Sequence, residues 1–576
     1  MKSLSSGRRR SLSSLWERSQ SLPVRRNRIS THGAIAMHEM VNPARWCITF
    51  ADLKFFESEV QQAIDEGSFP EVHQPEGPSI YSVNEHYIKP VTESAGKMSW
   101  ALMMNPDGLD CDLFVTHAWQ EDVFEFTEKV LTSWPHRARH AWCCMLANPQ
   151  NLDIAALLQS PSVSPFAIAL QNASYMLVVP NRHESVYTRL WCGYEAYLAF
   201  QSNKIIRTAT PSIGRQVVFA WLWMCPALAI GHAVGIVSKV KGLEVALKLI
   251  GVMKIFALLA SLVSQNCGQI KLCLIANHVG LASGVATVIG CILPLSFSPL
   301  FAEQEGRVIA SFGYILLVGY FLLAEVDRVY WQAEEHETEL LQHQYRGSIR
   351  QASCSESQDE INIRNEIGEH FDEVDKVIQV LMKAGMTSNA LREASLQGVE
   401  LRHAGVVQLA IPILELGPGW LLGCWNLGRY FFLPFDDPIP QTRGLMASLQ
   451  MASVLARLMF VILLLHRSID ERCFMLNVMA KMVAPIYFCY ATFSLDFHRA
   501  VYLTVFCFYH LAFVLVLFFA LLGIRGTLRL PCGTVLAEVF LSRILRCGCG
   551  GDSSDGVSSS EGGEAPSEAS ESGSGS

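Results

Sequence analysis

The chain has 576 residues, of which half are hydrophobic and only 17% are charged, and its formal net charge is −8. A soluble globular protein carries about a quarter charged residues, and the mean hydropathy here is +0.25, so the chain as a whole is not a soluble globular protein. The mild net charge conceals a basic N-terminal arm and an acidic C-terminal tail, and nothing in the pattern points to nucleic acid.

Residues 1–36 form the arm. Arg8, Arg9, Arg10, Arg25, Arg26 and Arg28 face a single acid, Glu17. Such a segment buries too little apolar surface to fold alone and is suited to touching anionic lipid. Residues 37–212 mix charged and apolar residues with Pro and Gly punctuation, as a folded α/β domain does. Cys111–Thr116 and Ala173–Val179 read as buried strands, with His140–Leu146 and Lys204–Thr208 as two more. Glu121–Leu131 between them reads as a helix with Val123, Phe126, Val130 and Leu131 on one face. Strands alternating with helices predict a parallel sheet.

The membrane half begins near Gln216. A bilayer core needs roughly 20 mostly apolar residues per helix, which predicts eight spans, near 216–238, 244–264, 272–295 and 308–326, then 405–426, 444–465, 474–495 and 501–523. They group as spans one to four in 213–327 and five to eight in 405–524. The bias of Lys and Arg among the short loops places both termini in the cytosol. The membrane in question is not specified by the sequence.

Residues 328–404 form a polar, helical, cytosolic insert. Ile363, Ile367, Phe371, Val374, Ile378 and Leu381 make an apolar stripe at near-heptad spacing within 357–385. The stripe suits either an oligomerising helix or a helix packed on its own domain. Ser357-Gln-Asp-Glu360 reads as a capping box and Gly385 as a C-cap. Residues 525–576 are an acidic Gly/Ser tail expected to be disordered.

The 17 cysteines are scattered, with no secretory signal ahead of them, and read as reduced thiols. Cys143-Cys144 and Cys547-Gly-Cys549 lack the paired spacing of a zinc site, so no metal is expected.

Two stretches carry the candidate chemistry. Asp112-Leu-Phe-Val-Thr-His-Ala-Trp119 and Ser174–Asn181 are apolar strands that deliver polar residues at their C-terminal ends, where open α/β sheets bind ligands. After the second, Trp191 and Glu195 lie four apart on one helix face. A carboxylate beside an indole at that edge has reason to titrate high and to work on a sugar-like centre.

Asp112–His117 resembles the first strand of the TIR (Toll/interleukin-receptor) family. Trp191-Cys-Gly-Tyr-Glu195 resembles the Trp-Cys-x-x-Glu motif of its plant-type and NAD-cleaving members. That resemblance implies a TIR/flavodoxin-like parallel sheet and a glutamate, Glu195, that cleaves the nicotinamide–ribose bond of NAD. By position, Thr116, His117, Trp119 and Trp191 would line the substrate site. NAD would be a substrate, and no cofactor is implied. A complete TIR sheet has five parallel strands. Here the fifth is either absent, leaving the sheet incomplete, or drawn from residues 46–100. A TIR-like head ahead of several spans is also similar to the arrangement in a group of microalgal membrane proteins.

Charged residues inside spans are functional candidates by default. Glu415, Arg457 and Lys481 fall in spans five, six and seven, with Glu415 expected to pair with one of the two cations. Gly231-His-Ala-Val-Gly235 and Gly280-Leu-Ala-Ser-Gly284 suit close helix packing. Three readings of function follow. The first is a membrane-anchored signalling protein that self-associates, through the head or the 357–385 helix, or binds a partner. The second is an NAD-cleaving enzyme using Glu195. The third is a channel or transporter regulated by the head.

Overall fold

The computed structural model describes residues 31–69, 77–152, 160–183, 185–240, 243–289, 304–345, 347–432, 440–493 and 499–543. The four apolar runs become strands β2 (Leu113–Thr116), β3 (His140–Cys143), β4 (Tyr175–Val178) and β5 (Ile205–Thr208). They pair parallel in the spatial order β3-β2-β4-β5. Two short antiparallel strands close the edges. They are β1 (Ile48–Thr49) beside β3, and β6 (Met386–Thr387) beside β5. The sheet is therefore mixed rather than purely parallel. No fifth parallel strand occurs among the described residues. Residues 46–100 supply an edge strand on the far side, and the insert 328–404 supplies the strand next to β5.

Side chains alternate across the pleat. Leu113, Val115, Ala141, Cys143 and Leu177 join one core with helices Phe50–Asp65 and Val123–Ser133. Phe114, Trp142, Met176, Val178 and Ile206 join the opposite core with helices Pro165–Asn172 and Leu190–Gln201. Both faces are buried, as the continuous apolar strands require. Helix Val123–Ser133 starts where Asp122 accepts from the Phe124 and Glu125 amides, an N-cap that the sequence reading set two residues early.

The insert is part of this second core. Its apolar stripe is not one helix but two, Ser357–Ile367 and Phe371–Ala384, broken at Gly368 with φ +56°. Ile363, Ile367, Phe371, Val374, Ile378 and Leu381 are all buried among head residues. Of the two expectations for the stripe, packing on its own domain is the one observed. Ser357 is the first residue of its helix rather than its cap, and Glu356 precedes it without a side-chain capping bond. Gly385 is left-handed (φ +69°) and donates to the Leu381 carbonyl, as a C-cap should.

Five helices among the described residues are long and apolar enough to cross a membrane: Gly214–Val237, Ile270–Thr287, Gly444–His466, Ile469–Cys489 and Thr504–Leu528. The other three expected spans take different forms among the described residues. The second holds a shorter apolar helix, Gly251–Asn266. The fourth lies inside a 41-residue helix, Gln304–Gln344, that runs on past the expected boundary at 327 into the head. The fifth is broken into Ala410–Leu416 and Pro418–Phe432 at Gly417, where proline cannot continue the first helix's bonding.

Close packing does centre on the small residues. A methyl at Gly231 would stand 2.5 Å from the Ala282 carbonyl, so helix Gly214–Val240 rests directly on helix Ile270–Thr287.

The domain ends also differ from expectation. Helix Thr31–Met40 begins inside the basic arm, and the rest of the arm lies outside the described residues. The last span breaks at Gly523 (φ +64°). The chain then folds back as helix Gly533–Leu541, so the acidic tail starts later than 525. Residues 544–576 lie outside the description.

Candidate functional site

Glu195 sits in the middle of helix Leu190–Gln201, which is buried along nearly its whole length. Thr116 ends β2, and β4 lies alongside it in register, so both strands point their C-terminal ends at this helix's start. Glu195 is 4% exposed. Burial raises its pKa to about 7, opposed by the Thr116 hydroxyl and the Arg189 guanidinium. The Thr116 hydroxyl is near enough to help the carboxylate without closing a well-formed hydrogen bond, and one Glu195 oxygen, Oε2, has no hydrogen-bond partner. The sequence thus brings Thr116 and Glu195 together as expected.

His117 is buried beneath this pair. Its Nδ1 is 3.3 Å from the Ala118 carbonyl and its Nε2 is 3.2 Å from Cys144 Sγ. Burial pushes the imidazole down to about 3 and the Cys144 thiol up to about 12. The thiol therefore keeps its proton and donates to a neutral imidazole. The two look like a nucleophile and base, but thiolate is the reactive form, and here it does not form near neutral pH. Glu121 lies 4.0 Å from His117 Nδ1 with no exposed side-chain surface, and burial raises its carboxyl well above the usual range. The three groups are a neutral cluster.

Trp119 lies at the edge of this cluster, its side chain against the Cys144 thiol, and Trp191 is placed elsewhere. Trp119 is half-buried, its ring 5.3 Å from Tyr81, with the Trp119 carbonyl accepting from the Tyr81 amide. Trp191 stacks on Phe166 at 5.2 Å and donates to Asp359 of the insert at 3.2 Å. It is held by the insert and by Phe166 rather than turned to the Glu195 carboxyl.

The insert also covers the start of the Glu195 helix. The Leu190 amide donates to the Ser353 carbonyl at 3.0 Å, and the Ser353 amide donates to the Thr188 carbonyl at 3.1 Å. Ile349 packs against Gly193. On the other side, residues 78–81 bond to Trp119, Glu121 and Val123 and cover the loop that follows β2.

No protein-family model, curated protein or solved structure matches the chain.

A second linkage was invisible to the motif reading. Lys129 is 1% exposed and lies 2.7 Å from both Glu125 and Glu337, and it donates to the Pro180 carbonyl at 2.7 Å. Burial pulls its pKa down, but the two carboxylates outweigh burial and leave it raised. Glu337 belongs to helix Gln304–Gln344, so this ion cluster ties the head to the helix that enters the bundle. The only sequence signal was the Glu125–Lys129 spacing of four.

Inside the bundle, Glu415 pairs with Arg457 rather than Lys481. Arg457 Nη2 is 3.0 Å from Glu415 Oε2, and Tyr509 donates to the same carboxylate at 2.9 Å. Arg457 also donates to Ser453 at 2.7 Å, and its guanidinium lies 3.6 Å from the Phe513 ring centre. His510 reaches Ser453 at 2.8 Å. Lys481 donates to the Val539 and Ser542 carbonyls, binding the C-terminal end of helix Gly533–Leu541. Of the other two intramembrane histidines, His232 is exposed, and His278 reaches the Trp223 carbonyl at 3.2 Å.

Proposed function

We propose that the chain is a membrane-anchored signalling protein. Its TIR-like head lies in the cytosol with both termini, and acts by self-association or by binding a partner. The strand order supports the TIR-like reading. Among the parallel strands it runs second, first, third, fourth, which is how the flavodoxin-like order begins.

The observation that carries the signalling reading is β6. The strand that completes the head's sheet comes from a segment flanked by bundle helices. Helix Gln304–Gln344 supplies Glu337 to Lys129, and Arg525, two residues past the break at Gly523, pairs with Glu393 of the insert at 3.0 Å. A shift of the bundle is therefore transmitted to the head through hydrogen bonds and ion pairs rather than a slack linker. The test is energy transfer between donor- and acceptor-labelled copies in proteoliposomes at rising surface density. Density-dependent transfer is expected. Transfer at the random-encounter level throughout sinks self-association.

A second reading is favoured by one observation. The buried Glu195 carboxyl, raised to about 7 beside Thr116, is tuned as a general acid–base group should be. In this reading the head cleaves NAD when segment 349–354 lifts from the Glu195 helix. Nicotinamide release by wild type and by Glu195→Ala decides it. Equal rates, or none from either protein under clustering conditions, eliminate it.

A further inference from the structure

A cavity of about 210 Å³ lies where the head meets the bundle. The loop after helix Val123–Ser133 forms one wall, β5 and the segment following it another, and the start of helix Ile469–Phe493 a third. Its charged lining is of one sign: Arg137, Arg207 and Arg472, with His136 beside them and no Asp or Glu.

The charges are unusually bare. Among the described residues neither Arg137 nor Arg472 forms an ion pair with a carboxylate, and Arg472 Nε is buried with no hydrogen-bond partner. Arg207 has the Tyr330 hydroxyl and, behind it, Glu334, whose carboxyl burial raises to about 7. A buried guanidinium nitrogen without an acceptor is costly, and three guanidinium groups around one void repel one another. An anion in the void relieves both. Arg is the residue whose forked donors match phosphate oxygens.

We propose that this cavity is a binding site for a phosphate group, held between Arg137, Arg207 and Arg472. The volume admits a phosphate with a small substituent and is below the roughly 300–1,000 Å³ of pockets that enclose a drug-sized ligand. Arg472 lies in the first turn of span Ile469–Cys489, so the site is at the level of a bilayer's polar layer. Its phosphate comes either from a lipid headgroup or from a soluble ion or monoester. Because the site joins head, β5 and bundle, its occupant would bear on how they are held together, but the proposal does not rest on the signalling reading.

The experiment uses the full chain in phosphatidylcholine nanodiscs and reads the thermal unfolding midpoint. In one arm inorganic phosphate is added against sodium chloride of equal ionic strength. In the other, nanodiscs containing phosphatidylinositol 4-phosphate are compared with discs containing phosphatidylserine, in phosphate-free buffer. A rise in the first arm alone identifies a soluble phosphate, and a rise in the second alone identifies a headgroup. Arg472→Gln is expected to weaken the responding ligand about tenfold, through loss of a charge-assisted bond. Arg137 is exposed, so Arg137→Gln folds normally and is expected to weaken it similarly. Silence in both arms overturns the proposal, as does a response that both variants retain at wild-type strength.

Discussion

Replacing Glu195 with Gln tests directly what burial of that carboxyl does to the protein. The group's pKa moves from an ordinary 4.5 to about 7, chiefly through burial. A carboxyl that binds its proton more tightly when folded favours the folded state at low pH. The advantage is complete below about pH 4.5 and is lost as pH rises to about 7. Each unit corresponds to about 1.36 kcal/mol, so ionising the buried group costs roughly 3 kcal/mol by pH 8. Glutamine matches its shape and carries no charge. Glu195→Gln should therefore equal wild type near pH 4.5 and exceed it by roughly 3 kcal/mol at pH 8, or roughly 6–12 °C for a head of this size. The assay is thermal unfolding in detergent micelles from pH 4.5 to 8, followed by tryptophan fluorescence. Glu121 and Glu334 are also raised by burial and bend the wild-type curve too, so the difference between the two proteins is the quantity that reports on Glu195. A difference that stays flat across the range would refute the burial argument.

Lys129→Met strands Glu125 and Glu337 beside an apolar side chain, and breaking a buried pair in this way costs about 3–5 kcal/mol; amide exchange in helix Val123–Ser133 should rise and report it. Arg457→Met leaves Glu415 buried without its cation, at a similar cost of about 3–5 kcal/mol. The double variant Arg457→Met/Glu415→Gln should recover most of the lost unfolding midpoint, and failure to recover would mean that the pair is not the source. Ile378 is fully buried, so Ile378→Ala should cost about 2–5 kcal/mol with the mass in detergent unchanged. A fall in mass at preserved stability would instead mark the stripe as a seam between copies.

What was legible in the sequence was local. Each of the four parallel strands was found from its apolar run, with ends displaced by at most three residues. The Thr116–Glu195 meeting was legible because Thr116 ends β2 and Glu195 lies on the helix that follows the adjacent parallel strand β4. Gly231 and Gly280 announced close packing, since a methyl at either would collide with the neighbouring helix. The break in the fifth span was less legible, because a hydropathy window averages across it. Leu416-Gly-Pro-Gly419 contains both a helix stop and a proline, yet its flanks are apolar enough to hide them.

The deeper misreading concerned what lies between the spans. Residues 328–404 read as a separate helical segment because their stripe and capping signals are self-contained. Nothing local says that Met386 will pair with Arg207, that Ser353 will bond to Leu190, or that Glu337 will meet Lys129. Each contact joins positions far apart in sequence, and closing such loops is favourable only once the cores already hold the parts together. The same contacts explain why the candidate carboxyl is closed. An α/β sheet leaves its C-terminal edge open unless another element covers it. Here the insert covers the helix start with segment 349–354, and residues 78–81 cover the loop after β2. Any chemistry at Glu195 therefore depends on the insert moving, and the insert is held by apolar packing of Ala390, Leu391 and Ala394 on the bundle as well as by the pairs Lys129–Glu337 and Arg525–Glu393. Arg525–Glu393 is exposed and contributes little. The contacts that opening must break are the two between Ser353 and the Leu190 amide and Thr188 carbonyl, with the packing of Ile349 on Gly193.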